Sequence, residues 1–117
     1  MAVRVLIVDD HEPFRVWAAK LLRAGGMEVV GEAPTAGRAM AAAAASRPDV
    51  VLLDVRLPDG DGFTVCRALS ATGLTVVLCS AALTERDCGD LVEKCGAVGF
   101  LPKDRLSAAA LRLVLGR

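Results

Sequence analysis

Three carboxylates stand where apolar runs end. RVLIV (4–8) runs into Asp9 and Asp10, and VVLL (50–53) runs into Asp54. Two further apolar runs end on groups of complementary chemistry, one on Ser80 and one on Lys103. Acids sharing a crevice repel, so either one takes a raised pKa or a cation neutralises them. Magnesium suits such a set. It takes oxygen ligands, needs only one or two protein carboxylates, and keeps its other positions for water and phosphate oxygens. With a lysine for fixed charge and a hydroxyl as donor, the set describes a site for a phosphoryl group, one carboxylate serving as nucleophile. Asp54, between the acidic pair and the Ser/Lys side, is the best placed for that role.

Each position alone has a plainer reading. An Asp at a strand end is commonly a helix cap or turn residue, Ser80 a cap hydroxyl and Lys103 a solvated charge. His11 falls near a helix start, and Asp59 and Asp61 belong to a turn with Gly60 and Gly62. The case for chemistry lies in four strand ends supplying complementary groups together.

The elements that must position these residues alternate along the chain. Strands are expected at 4–8, 27–33, 49–54, 74–80 and 97–103. Helices are expected at 13–26, 36–48, 62–72, 84–96 and 106–117. In the first helix Phe14, Trp17, Ala18, Leu21 and Leu22 keep helical spacing, with Pro13 in the first turn and Gly25-Gly26 as a stop. In the fourth, Thr84 with Asp87 resembles a capping box, but Gly89 sits mid-helix and costs about 1 kcal/mol relative to Ala. This is the least secure of the helices. Five strand–helix units predict a doubly wound α/β fold of (βα)5 type, a three-layer sandwich around a parallel sheet, with residues 1–117 as one domain. Such sheets place ligands at the C-terminal strand ends, where the acids, Ser80 and Lys103 would meet.

Composition narrows the function. Hydrophobic residues make up 54% of the chain, against disorder, and aromatics only 3%. Fourteen basic residues balance fourteen acidic ones, which argues against binding nucleic acid or membrane through bulk charge. With no apolar span of membrane length and no signal-peptide pattern, a cytoplasmic location is expected. Cys66, Cys79, Cys88 and Cys95 form no CxxC pair, and His11 is the lone histidine, so they read as packing residues rather than a zinc site. Cys88 and Cys95, seven apart, are expected on one side of the fourth helix.

The segments LIVDDHEPFR, VVLLDVRLPDGDG, VVLCSA and GFLPK, in this order across essentially the whole chain, resemble the signature segments of response-regulator receiver domains of two-component signalling. The resemblance is greatest to the branch that often carries a C-terminal helix-turn-helix. It implies a flavodoxin-like sheet of order 2-1-3-4-5. Asp54 is then the phosphoacceptor and Mg²⁺ the cofactor, held by Asp10, Asp54 and the Arg56 backbone carbonyl directly and by Asp9 through water. Lys103 contacts a phosphoryl oxygen, Ser80 is the switch hydroxyl, and Phe100 is the aromatic switch position. Pro58 and Gly62 belong to the loop after the acceptor, and Arg56 and Ala82 occupy positions that tune phosphoryl lifetime.

The implied donor is a sensor histidine kinase or phosphotransfer protein. The output is a change in the helix 4–strand 5–helix 5 face, with a phosphorylation-linked homodimer as one use of it. These residues would bind neither nucleic acid nor membrane, and the role is signalling rather than enzymatic. The chain is a stand-alone receiver or part of a longer regulator. Two departures stand out: Asp104 follows the lysine where proline is common, and Phe100 lacks the hydroxyl of the commoner tyrosine.

Three rivals can be weighed. A magnesium-dependent aspartyl phosphatase commonly carries a second acid two residues after the nucleophile, where this chain has Arg56. A phosphorylation-independent receiver-like module would not need all the chemical positions that are present. A flavin binder of the same topology would meet acids where its phosphate sits, and few aromatics to stack the ring.

Overall fold

The computed structural model describes residues 2–116. Five parallel strands form the sheet: β1 (Arg4–Val8), β2 (Glu28–Ala33), β3 (Val50–Asp54), β6 (Val76–Ser80) and β7 (Gly99–Pro102). Their order is β2-β1-β3-β6-β7, the expected 2-1-3-4-5 arrangement. A two-stranded antiparallel hairpin, β4 (Arg56–Leu57) with β5 (Gly60–Asp61), interrupts the series where a plain turn was expected. The helices are α1 (Glu12–Ala24), α2 (Ala36–Ser46), α3 (Gly62–Ala71), α4 (Glu85–Cys88), α5 (Leu91–Lys94) and α6 (Ala108–Leu115).

The central strands β1, β3 and β6 are apolar without alternation because both faces of the sheet are covered there, whereas the edge strand β2 carries the exposed Glu28 and Glu32. Successive residues point to opposite faces. Leu6 and Val8, Val51 and Leu53, Val76 and Leu78 pack toward α2, α3 and the α4–α5 segment, against Ala39, Ala43, Val65, Cys66, Leu69 and Val92. Val5 and Ile7, Val50 and Leu52, Val77 and Cys79 pack toward α1 and α6, against Phe14, Ala18, Leu22 and Leu111. The three-layer sandwich is thus built by parity. The strands also have a chemical end: β3 and β6 finish on Asp54 and Ser80, and Asp9 and Lys103 directly follow β1 and β7.

The first helix keeps its expected stripe except at Trp17, which is 46% exposed. Its ring centroid lies 5.8 Å from that of Phe14, so it covers the helix surface rather than filling the core. The larger departure is the fourth helix, which is two short helices instead of one. Thr84 and Asp87 form the capping box that starts α4. Gly89 then takes φ +60°, ψ −127°, which no right-handed helix can continue through, and the chain restarts at Leu91. Cys88 and Cys95 are both buried but lie on either side of this break. The last strand also ends one residue early. Pro102 closes β7, and Lys103 opens a 3₁₀ turn, Lys103–Arg105.

Gly62 is fixed by crowding. It starts α3 directly behind the third strand, and its N–H donates to the Val55 carbonyl at 2.6 Å. A Cβ there would fall 2.3 Å from the Asp54 carbonyl oxygen and 2.8 Å from the Val55 Cα, both backbone atoms that cannot yield cheaply. Gly62→Ala is therefore expected to lower unfolding free energy by roughly 2–4 kcal/mol. Urea denaturation measures it. A loss within the error of the experiment would contradict the crowding.

Candidate functional site

Asp9 follows β1 and Asp54 ends β3, so adjacent strands deliver both carboxylates to one edge. One carboxylate oxygen from each of Asp9, Asp10 and Asp54 lies within 4.8 Å of the others. Asp9 and Asp54 are buried, whereas Asp10 is exposed. The neighbouring backbone orients the buried pair. Asp9 Oδ1 accepts from the His11 N–H at 2.9 Å, turning the chain into α1, and Asp54 Oδ1 accepts from the Arg56 N–H at 3.2 Å. The guanidinium of Arg15 donates to the Asp9 backbone carbonyl at 2.7 Å and pairs with Glu32 at 3.1 Å, bracing the end of the first strand.

Lys103 reaches both buried acids. Its Nζ stands 2.6 Å from Asp9 Oδ2 and 3.3 Å from Asp54 Oδ2. The shorter contact is a close, buried ion pair, and Lys103 is the one cation among the described residues that reaches Asp9 Oδ2. Three carboxylates against one ammonium leave two uncompensated negative charges. Carboxylate oxygens this close, with one ammonium among three acids, fit a hard cation with oxygen ligands.

The charges shift one another. Burial pushes the Asp54 carboxyl up from 3.8. The Arg56 N–H opposes it, Asp9 adds to it and Lys103 opposes it again, for a net rise. Burial pulls the Lys103 ammonium down, but its bond and charge contacts with Asp9 and Asp54 outweigh this, and its pKa rises. The two directions agree physically: the lysine serves two acids, while Asp54 has one partial cation against burial and a neighbouring acid.

Ser80 closes β6 at the same edge, 3% exposed. Its Oγ accepts from the Ala82 and Leu83 N–H groups at 3.2 and 2.9 Å, so it organises the loop after the strand. Those bonds use lone pairs and leave the hydroxyl proton as a donor. Phe100 lies within β7, 6% exposed, packed in the core on the α3–α5 side. Arg56 is exposed on β4, just after the strand that ends on Asp54, and its carbonyl belongs to the short hairpin.

Asp59 and Asp61 do more than turn the chain. Asp61 caps α3, accepting from the Thr64 N–H at 2.8 Å. Asp59 accepts from the N–H groups of Ala36 and Gly37 at 2.7 and 2.9 Å, so it caps α2 from 22 residues away. Both carboxyls are held below their usual range, chiefly by these backbone donors. Sequence reading also passed over Arg15 and Phe14 as site residues. Phe14 was visible only as an apolar position of α1, yet Lys103 Nζ lies 4.3 Å from its ring centroid. A separate groove of about 340 Å³ between α2 and α3, lined by Met40, Arg47, Leu69 and Leu74, lies at the opposite strand ends and takes no part in this site.

Residues 5–114 match the response regulator receiver domain family. The chain belongs to that family. It is 41% identical over 105 residues to the DNA-binding transcriptional activator DevR/DosR of Mycobacterium tuberculosis, a match covering 87% of this chain and 48% of that protein. The signal receiver domain of NarL from the same organism superposes with a TM-score of 0.84 at 36% identity, covering 99% of this chain and 98% of that one. The BeF3-activated receiver domain of RstA from Klebsiella pneumoniae gives a TM-score of 0.84 at 32% identity, over 97% and 99% of the two chains. The chain spans about half the length, or less, of the curated relatives it matches. It is a receiver domain of the kind found in two-component response regulators. Among the described residues no helix is long and apolar enough to cross a membrane.

The raised Asp54 pKa has a measurable consequence. Between its unfolded and folded pKa values the folded state binds more protons, so stability is lost as pH rises through the folded value. In metal-free buffer, Asp54→Asn is expected to melt above the parent protein at pH 7, with the gain shrinking as pH falls through the folded Asp54 value towards about 4, and levelling off below that. Melting curves from pH 3.5 to 7.5 test it, and a pH-independent difference would contradict it.

Proposed function

We propose that Asp54 is the phosphoacceptor and that the surrounding groups serve its phosphorylation. The observation carrying this reading is the Lys103 ammonium lodged between Asp9 and Asp54, 2.6 and 3.3 Å from their oxygens. Asp10, Asp54 and the Arg56 backbone carbonyl would hold Mg²⁺ directly and Asp9 through water, and the ion would supply Lewis-acid neutralisation of phosphoryl oxygens.

In this reading a phosphohistidine on a sensor kinase or phosphotransfer protein presents its phosphorus to an Asp54 carboxylate oxygen. The new O–P bond forms as the P–N bond breaks, and the histidine nitrogen leaves. Lys103 balances the charge that gathers on the phosphoryl oxygens. The acyl phosphate then offers acceptor oxygens in place of a carboxylate. Ser80 donates its hydroxyl proton to one of them, and the loop it anchors through Ala82 and Leu83 moves with it. Phe100 repacks into the space vacated, by packing alone, because it has no hydroxyl. The surface of α4, α5, β7 and α6 is the face that changes, as a population shift driven by contacts present only in the phosphorylated state. That face meets the downstream partner, a second copy of the chain included. Signalling by protein contact, without nucleic acid or membrane binding by these residues and in the cytoplasm, completes the proposal.

Intact mass after incubation with acetyl phosphate tests it. The expected result is a gain of one phosphoryl group with Mg²⁺ that disappears in EDTA and in Asp54→Asn. A gain that persists in Asp54→Asn would move the acceptor elsewhere. No gain, even with a histidine-phosphorylated donor protein, would favour a phosphorylation-independent module.

A further inference from the structure

We propose that Phe14 is the positioning residue for Lys103: its ring face holds the lysine Nζ over the carboxylate crevice while Asp54 is being phosphorylated. The inference rests on the phosphoacceptor reading above and extends it to a residue outside the acidic cluster.

The geometry supports a cation–π contact. Nζ lies 4.3 Å from the ring centroid, inside the roughly 6 Å over which an ammonium is drawn to an aromatic face. Both partners are sheltered: Phe14 is 9% exposed and the Lys103 side chain 15%. Such contacts are strongest when water is excluded. The ring is itself fixed. It sits in the first turn of α1, belongs to the core with Ala18 and Leu22, and carries the tilted Trp17 ring 5.8 Å away.

The Asp9 contact is the shorter of the two carboxylate contacts, at 2.6 Å. The Asp54 contact is longer, at 3.3 Å. Phosphorylation then changes both carboxylates as partners. Asp54 exchanges a charged carboxylate oxygen for the bridging oxygen of an acyl phosphate, and the charge on Asp9 is shared with whatever cation the cluster holds. The Phe14 ring is the partner that the reaction leaves unaltered. An anchor with this property keeps Nζ in place as charge moves onto the phosphoryl oxygens, which is when its position affects the rate.

Two readouts test this. The first needs neither metal nor phosphodonor. In the metal-free parent protein, the Lys103 ε-methylene protons are expected to be shifted upfield by the ring current and to return to ordinary positions in Phe14→Leu. The second replaces Phe14 alone with mono-, di- and trifluorophenylalanine. Fluorination weakens the attraction of the ring for a cation while leaving its shape nearly unchanged. The Mg²⁺-dependent phosphorylation rate with acetyl phosphate is expected to fall stepwise, by roughly tenfold across the series, at constant melting temperature.

A residue that only packs the core would move stability and give no such gradient. A flat rate across the series, or unshifted Lys103 protons in the parent, would overturn the proposal. A parent that takes up no phosphoryl group on Asp54 while its Lys103 protons are shifted would place the failure in the phosphoacceptor reading, and the positioning role would fall with it.

Discussion

The ammonium of Lys103 against the carboxylates of Asp9 and Asp54 is the contact on which the rest of the site depends. Two like charges no more than 4.8 Å apart repel by roughly 3 kcal/mol or more at an effective dielectric near 20. Three such acids at one edge would be a serious liability to a small domain whose total stability is of order 5–15 kcal/mol. One lysine relieves part of this and no more. The remainder is net negative charge at the sheet edge, which a cation or a donor-rich group would relieve. Function here is therefore unresolved electrostatic stress, held in place by a sheet too well packed to relax.

That rigidity comes from strand parity. Val5 and Ile7 face one helical layer and Leu6 and Val8 the other, with the same division along β3 and β6. A strand buried on both sides cannot slip by one residue without exchanging its two packed faces. The positions of Asp9, Asp54 and Ser80 are thus set by apolar neighbours that have no chemical role. The α4–α5 side is different. Two helices of four residues each, separated by Gly89 at positive φ, are too short to be stable without tertiary contacts. The rigid half of the domain carries the charges, and the weakly built half lies on the face assigned to output.

Much of this was legible in the sequence because it follows from local pattern. Apolar runs marked the sheet strands, the mixed MEVVGEA at the edge included, the acids, Ser80 and Lys103 fell at or just past strand ends, and the sheet order came with the receiver resemblance. The losses were of two kinds. Helix four was read through Gly89 because the capping box at Thr84 and the apolar spacing beyond it both suit a helix, and a single glycine does not reveal which sign its φ will take. The bracing of Arg15, the long-range capping of α2 by Asp59 and the Phe14–Lys103 contact join residues 17 to 89 positions apart. No periodicity records such pairs, since they exist only once the sheet has brought its strand ends together.

The central claim is that the acidic cluster, and not acidity in general, is the place where a divalent cation acts. Titrating Mg²⁺ into the unphosphorylated protein while following backbone amide resonances tests it most directly. The account predicts saturable shifts concentrated at Asp9–His11, Asp54–Arg56 and Lys103, and their loss in Asp10→Asn. Shifts spread instead over exposed acids such as Glu85, Asp90 and Glu93, unchanged in that variant, would contradict it.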